Sequence, residues 1–198
     1  MKRLTVLTAL LLIVAAAPAA RAGQTVTIAS FSFSPASLTA GLGELVTFNN
    51  TAAIGHTATS DDGFWDTGTI SGGGGGYPTR ASEDVVFSAS GTFAYHCAIH
   101  PSMKAVIIVP ITVSPAGPVT AGTKLTITFA SDQVIGRTYE VQRRRGHRRW
   151  VTLASATSAL FVNYTPGKAG KFRFRAAAIM GSDISGWSPK VLVRVITA

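Results

Sequence analysis

The sequence predicts an all-β protein made of two consecutive β-sandwiches, and three observations carry this prediction. First, short runs rich in Val, Ile, Thr and aromatic residues recur along the chain between Pro, Gly and Asn residues, which is typical of strands joined by turns. Second, residues 85–87 and 93–95 alternate in a way that fits strands with one buried face. Third, no segment keeps the roughly 3.6-residue periodicity of an amphipathic helix. Two small sandwiches are the economical architecture for such a chain.

Residues 1–22 form a separate leading segment. A basic start at 1–3 is followed by an apolar run at 4–17 and by the small-x-small pattern Ala20-Arg21-Ala22. The apolar run is shorter than the roughly 20 residues that span a bilayer. We therefore expect a cleaved signal peptide and an exported chain that starts near Gly23 and has no membrane span. Its destination is a periplasm, a cell wall or the medium.

The remaining chain divides at Pro110 into two halves of opposite charge. Residues 23–110 carry two Lys/Arg against six Asp/Glu, a net charge of −4, whereas residues 111–198 carry thirteen against three, a net charge of +10. The stiff, strand-breaking stretch 114–118 lies close to the division. Such asymmetry predicts two domains with different surfaces, 23–110 and 111–198.

Each half contains its own series of predicted strands. In the first half they are 24–29, 44–48, 84–88, 92–97 and 104–109. In the second half they are 124–129, 139–143, 150–153, 160–164, 171–177 and 191–196. The glycine run 72–76 predicts a surface loop, since Tyr77-Pro78 after it blocks the helix that a phosphate-binding loop needs.

Composition excludes several classes of protein. With 14% charged and 46% hydrophobic residues, the chain is not an intrinsically disordered one. The single cysteine cannot form an internal disulfide, so an exported fold depends on packing or on a metal. Four histidines are too few for a multicopper enzyme.

The residues with the most informative chemistry follow the predicted strand 92–97. Cys97, His100 and Met103 are spaced by three residues on one short loop, which can aim a thiolate, an imidazole and a thioether at one point. His56, at the start of another predicted strand, can add a fourth ligand from across the sandwich. Two His and one Cys with a weak axial Met are the ligands of a blue-copper site.

Each of these residues also has a simpler interpretation or a rival chemistry. A lone Cys, Met or His usually belongs to the core, although their combination in one loop argues against that explanation. Zinc accepts Cys and His, but Met is a poor zinc ligand. A catalytic Cys–His pair needs an oriented base, and His96 should point away from Cys97 because neighbouring residues of a strand face opposite sides.

Residues 24–109 resemble a cupredoxin of the plastocyanin, pseudoazurin and amicyanin group. The resemblance rests on four stretches and on the ligand loop: 31–35 (FSFSP), 46–50 (VTFNN), 56–60 (HTATS) and 91–97 (GTFAYHC). It implies a Greek-key β-sandwich that holds one type 1 copper through His56, Cys97, His100 and Met103. The short Cys-x2-His-x2-Met loop is similar to that of amicyanin. Three departures from the family are Thr57, where many relatives have Asn or Val, the expanded glycine loop, and the acidic stretch 61–66. That stretch is either a solvated turn with a buried aromatic residue or a docking site for a basic partner.

The same resemblance implies a one-electron carrier that turns over no substrate. In this family the second His ligand usually lies within an exposed apolar patch where partners dock. The residues expected to form that patch here are Ala53, Ile54, Ala98, Ile99 and Pro101. Two alternatives stay open. One is a copper-binding or copper-delivery protein; the other is a cell-surface adhesion or scaffolding protein with a structural metal site.

Residues 111–198 resemble a fibronectin type III module, an immunoglobulin-like β-sandwich, through the stretches 139–142 (YEVQ), 172–176 (FRFRA) and 185–189 (SGWSP). Phe172 stands where such modules often have a tyrosine-corner Tyr, and Phe129 replaces the usual core Trp.

Around Gly146, a predicted hairpin tip contains five arginines. They are either solvated or in contact with an anionic partner such as the cell envelope. Nucleic acid is not an expected partner of an exported chain. These arginines are Arg143, Arg144, Arg145, Arg148 and Arg149.

Overall fold

A computed structural model describes residues 23–72 and 81–197, and these residues form strands and turns without a helix. The prediction of an all-β protein is therefore confirmed. The predicted signal peptide at 1–22 and all but the first residue of the glycine run lie outside the described residues. Within the described ranges there is no helix long and apolar enough to cross a membrane.

Two four-stranded sheets form the first sandwich. The first has the order β2-β1-β4-β6 and the second the order β3-β8-β7-β5, and β1–β4 and β3–β8 are parallel pairs among antiparallel ones. The strands are β1 (Gln24–Ala29), β2 (Ser32–Ser34), β3 (Ser37–Thr39), β4 (Glu44–Asn50), β5 (Thr59–Ser60), β6 (Ser82–Phe87), β7 (Gly91–His96) and β8 (Lys104–Val109).

Alternating burial along the strands builds the core of this sandwich. In β7 the residues Gly91, Phe93 and Tyr95 are buried while Thr92 and Ala94 between them are not, and the buried Cys97 continues this alternation. Tyr95 packs between Phe48 and Trp65, whose ring centroids lie 5.6 and 5.2 Å from its own. Because Tyr95 is two residues before Cys97, these rings fix the strand that presents the thiol.

The second sandwich packs a five-stranded ladder, with a short sixth strand beside it, against a three-stranded sheet. The orders are β10-β17-β15-β12-β13, with β16 beside β15, and β14-β11-β9. Phe129 and Phe172 are buried in its core, and the likeness to a fibronectin type III module stays a prediction. The strands are β9 (Thr112–Ser114), β10 (Val119–Thr120), β11 (Leu125–Thr128), β12 (Arg137–Arg145), β13 (Val151–Thr157), β14 (Phe161–Tyr164), β15 (Gly170–Met180), β16 (Asp183–Ile184) and β17 (Val191–Ile196).

The two sandwiches meet through backbone hydrogen bonds at the start of β7. Thr92 and Gly186 exchange two N–H···O bonds of 2.9 Å, and the Thr92 hydroxyl donates to the Trp187 carbonyl at 2.9 Å. Nearby, the Ser90 amide donates to the Phe129 carbonyl at 2.8 Å. The contact therefore lies at one end of β7, and Cys97 follows the other end.

Repulsion between carboxylates acts across this contact. Partial burial raises the pKa of Asp62 above its ordinary value, and the neighbouring charges of Asp61 and of Asp183 in the second sandwich raise it further. A raised carboxyl pKa means that ionisation of Asp62 opposes folding. The penalty is complete above that pKa and disappears as the pH falls through it towards the unfolded value.

We expect Asp62→Asn to raise the Tm by about 1–3 °C at pH 7. The gain should vanish near pH 3, where both Asp62 and its replacement are neutral. Thermal unfolding of the wild type and the variant at the two pH values measures this difference. Asp132→Asn removes an equal charge from an exposed turn and serves as control. A gain that persisted at pH 3 would contradict the electrostatic explanation.

Candidate metal centre

Three of the four predicted ligands lie together at one end of the first sandwich. The Cys97 Sγ is 3.7 Å from the Nδ1 of His56 and 3.7 Å from the Nδ1 of His100, and the two Nδ1 atoms are 3.1 Å apart. His56 and Cys97 are buried, whereas His100 is half-buried. The structure therefore brings together three of the four side chains that the sequence analysis assigned to one site.

The ligand loop is closed by its own backbone. The His100 amide donates to the Cys97 carbonyl at 3.1 Å, and the Met103 amide donates to the His100 carbonyl at 2.9 Å. The Cys97 amide in turn donates to the Met103 carbonyl at 3.1 Å. The three-residue spacing thus corresponds to successive tight turns that bring 97, 100 and 103 together. Met103 is buried, and its role as fourth ligand stays a prediction.

His56 is held by a second segment. It forms an isolated bridge with Ile70, with N–H···O bonds of 3.1 and 2.8 Å, rather than starting a strand. The buried Asn50 side-chain amide donates to the carbonyls of Ile54 and Ile70, both at 2.9 Å. Asn50 therefore clamps the two chain segments that flank His56. The sequence analysis gave it no such role, although a buried Asn ending an apolar strand is the signal that points to one.

Thr57 joins the two ligand-bearing segments. Its amide donates to the Cys97 Sγ at 3.3 Å, and its hydroxyl accepts from the Ala98 amide at 2.7 Å. A hydrogen bond from the backbone to a ligand atom fixes the orientation of that ligand. The Thr57 hydroxyl thus bonds the loop of His56 to the loop of Cys97.

Burial also prepares His56 for a metal. Desolvation lowers its pKa below the ordinary value, and the nearby His100 lowers it further. A lowered pKa keeps the imidazole neutral at pH 7, and a neutral imidazole is the form that ligates.

The three atoms fit a metal ion in size as well as chemistry. With sides of 3.1, 3.7 and 3.7 Å, the triangle has a centre about 2.0 Å from each atom. Bonds from a divalent metal to an imidazole nitrogen or a thiolate sulfur are about 2.0–2.3 Å long. The donor set of two imidazoles and one thiolate fits copper.

The surface beside His100 is apolar. The five residues expected there are exposed, including Ile54 at 45% and Ile99 at 49%. Phe31, which the sequence analysis did not assign to the patch, is 57% exposed, and its ring centroid lies 4.9 Å from that of His100. His96 faces away from Cys97, as predicted, and its Nδ1 contacts Asp61 Oδ1 at 2.5 Å.

No family model and no curated protein matches this chain. Among solved structures, it is similar to a reduced Cu(I) form of an amicyanin variant at pH 4, with 24% identity over 46% of this chain and 86% of that chain and a TM-score of 0.39. It is also similar to a novel purple cupredoxin from Nitrosopumilus maritimus, with 20% identity over 43% of this chain and 98% of that chain and a TM-score of 0.38. The chain is an all-β protein of two sandwiches, the first of which carries a His-Cys-His site.

Proposed function

We propose that this chain is an exported type 1 copper protein that carries one electron at a time between redox partners. The observation that carries the proposal is the His56–Cys97–His100 triangle, whose three ligand atoms surround a point at bonding distance from each. Met103 is proposed as the weak axial ligand. Copper bound there would alternate between Cu(I) and Cu(II).

The chain's own contribution is a site that does not have to rearrange. Two of the ligand side chains are buried, and the segments that bear all three are tied by the bonds of Asn50 and Thr57. A ligand set fixed in this way keeps nearly one geometry in both oxidation states, so little motion accompanies electron transfer. Such rigidity suits a carrier better than a delivery protein, which must release its metal.

The half-buried His100 is the proposed route for electrons. Its ring reaches the surface inside the apolar patch, where a partner could approach closely because water leaves an apolar surface at little cost. Ile99→Ser should slow electron exchange with a protein partner and leave the absorption of the copper site unchanged. Equal transfer rates in the variant and the wild type would remove the patch from the proposal.

The decisive experiment is a visible absorption spectrum of the purified protein after addition of Cu(II). We expect an intense blue thiolate-to-copper band that Cys97→Ser abolishes and that His96→Gln, a neighbouring substitution outside the triangle, retains. Rapid reduction by ascorbate and reoxidation by ferricyanide, followed in the same band, would establish redox cycling. A colourless protein that holds zinc, or that binds no metal, would overturn the proposal.

The delivery alternative predicts a different result. A delivery protein would pass its copper quickly to a chelator and would be reduced slowly. Competition with a Cu(I) chelator, read by the chelate's absorbance, separates the two functions in one assay. Retention of copper over hours together with fast reduction would support the carrier.

A further inference from the structure

A cluster of cations lies at the open end of the second sandwich. In β12 the side chains of Tyr139 and Val141 point into the core, and the alternation of the strand places Arg143 and Arg145 on the same inward face beyond it. These arginines therefore extend into the gap between the two sheets instead of lying on the outer surface.

Two further cations and two aromatic rings complete a cleft of about 220 Å³. Arg148 comes from the β12–β13 hairpin and Lys168 from the loop before β15, while Tyr164 and Phe172 form apolar parts of the lining. The cleft thus brings four positive charges from two separate segments, residues 143–148 and the loop that holds Lys168, to one place.

Parts of the cleft are arranged before any ligand arrives. The Arg145 guanidinium donates to the Ala169 carbonyl at 2.5 Å, and the Arg143 guanidinium lies 4.9 Å from the centre of the Tyr164 ring. The Arg143 Nε is buried and has no hydrogen-bond partner within the described ranges.

No carboxylate balances these charges. Among residues 23–72 and 81–197, none of the four cations forms an ion pair with Asp or Glu. The Glu140 carboxylate, which follows Tyr139 on the opposite face of β12, accepts from Gln142 and Thr152. The cleft therefore keeps its full positive charge.

The five arginines of the predicted hairpin tip have different partners in the structure. Arg144 stacks on Trp150 on the outer face, with its guanidinium 4.9 Å from the ring centre. Arg175, from β15, lies between Trp150 and Trp187 at 4.1 and 4.0 Å, and its guanidinium donates to the Gln142 side chain. Arg149 is exposed. Only three of the five predicted arginines line the cleft.

We propose that this cleft binds a phosphate or sulfate group, either free or carried on an anionic polysaccharide. A tetrahedral oxyanion offers two to four oxygens to several donors, whether it is free or bound to a polymer, so it matches four converging cations better than a single carboxylate does. In this arrangement the oxyanion accepts from the arginine guanidinium groups, and Lys168 adds a point charge at the rim.

The test uses the full chain at low ionic strength with inorganic sulfate, dextran sulfate and polygalacturonate as probes, measured by isothermal titration calorimetry. We expect Arg143→Gln/Lys168→Gln to lower the affinity for dextran sulfate at least tenfold. The matched variant Arg149→Gln/Lys190→Gln, which loses two exposed charges outside the cleft, should lower it less than threefold. Equal losses in the two variants, or equally tight binding of polygalacturonate, would overturn the proposal.

Inorganic sulfate distinguishes the two sources of the oxyanion. If free sulfate binds saturably and Arg143→Gln/Lys168→Gln abolishes this binding, the ligand of the cleft is a free anion. If only dextran sulfate binds, the ligand is a group carried on a polymer. Failure of both probes to bind the wild type would also overturn the proposal. Thermal unfolding of each variant controls for loss of folding.

An independent observation concerns the turn that joins β1 to β2. Ala29 and Ser32 are paired across the two strands, so only Ser30 and Phe31 form the turn, and their φ angles are +43° and +63°. Two-residue turns with both central residues in the left-handed region strongly favour Asn-Gly, because a bulky side chain is strained there. A phenylalanine at this place contradicts the local preference.

The strained turn places an aromatic ring on the ligand imidazoles. The Phe31 ring meets His100 edge-on at a centroid distance of 4.9 Å and His56 at 5.8 Å. Its exposed fraction of 57% shows that the ring is not there to fill the core. Backbone strain retained beside a functional site is a recognised sign of a functional constraint.

We infer that Phe31 is a positioning residue that covers the two imidazoles and slows the escape of the metal, an inference that rests on the proposed copper site. Two variants separate backbone strain from the covering role of the ring. Ser30→Gly relieves the strain at residue 30 and keeps the ring, whereas Phe31→Gly relieves the strain at residue 31 and removes the ring. We expect both to raise the Tm of the metal-free protein by about 2–4 °C. Only Phe31→Gly should speed transfer of copper to a chelator, at least fivefold.

The readouts keep this inference separate from the proposed function. The Tm gain of the metal-free protein does not depend on copper, so its absence in Ser30→Gly would overturn the assignment of strain. Unchanged copper release in Phe31→Gly would overturn the covering role. If the wild type bound no copper, both the proposed function and the covering role of Phe31 would be overturned. The Tm comparison would still decide whether the turn is strained.

Discussion

Gly72→Ala is expected to lower the affinity of the candidate metal centre for Cu(II) at least tenfold. A Cβ at this buried position would lie 2.5 Å from the Ala52 oxygen and the Ala53 carbonyl carbon and 2.6 Å from the Ile54 nitrogen. All three are backbone atoms, so no side-chain rotation relieves the contact. Either segment 52–54 or segment 70–72 must move, and the Asn50 side chain bonds both. Either shift therefore loosens the clamp around His56. A loss of about 1.4 kcal/mol in binding corresponds to the tenfold change.

Copper titration followed in the visible band, together with thermal unfolding of the metal-free protein, checks this prediction. Gly167→Ala is the matched control, since a Cβ there meets nothing within 4 Å. Unchanged copper affinity in Gly72→Ala would mean that the segments that flank His56 adapt without cost, and the clamp would lose its assigned role.

Gly91→Ala is expected to destabilise the protein by about 1–3 kcal/mol, the usual range for overpacking a well-packed core. The added Cβ would lie 2.6 Å from the Ser185 Oγ and 2.9 Å from the Phe93 ring. Neither can retreat easily, because the Ser185 hydroxyl accepts from the Ala178 amide at 3.0 Å and Phe93 is buried. The contact between the two sandwiches should therefore open.

Thermal unfolding and hydrogen exchange measure the two parts of this effect. We expect a fall in Tm of roughly 3–10 °C and faster exchange of the Thr92 and Gly186 amides, which bond across the contact. The visible band of bound copper should persist, because Cys97 follows the opposite end of β7. Protection of both amides at the wild-type level would contradict the prediction, and Gly167→Ala again serves as control.

The longer strands could be predicted from sequence because alternating burial leaves a trace in composition. The bounds of β1, β8 and β17 agree with the prediction at both ends, and each contains closely spaced Val or Ile. Strands of two or three residues, such as β2, β3 and β5, were not predicted because so few residues show no period. Strand β15 runs three residues further than expected, to Met180, because β16 and the Ser185 hydroxyl pair with its last part.

The residues of the candidate metal centre also divide into those that the sequence could predict and those that it could not. Cys97 and His100, which the fold brings together, could be predicted because residues on one loop have a regular spacing in sequence, whereas the role of Met103 stays a prediction. Asn50 and Phe31 were missed because their roles depend on segments that only the fold brings together. Phe31 could have been flagged only by noticing that Ser-Phe is unsuited to the turn it occupies.

The attachment of the second sandwich at the start of β7 has an electrical consequence. A strand of six residues is about 20 Å long, so the contact and the metal centre lie near opposite ends of the first sandwich. With net charges of −4 and +10 on the two halves, the molecule has a large permanent dipole moment whose negative end carries the metal centre. The field of a charged body exerts a torque on such a molecule before contact. A cationic redox partner would therefore meet the metal centre first, and an anionic polymer would attract the second sandwich. Both orientations would become less favoured as added salt shortens the Debye length.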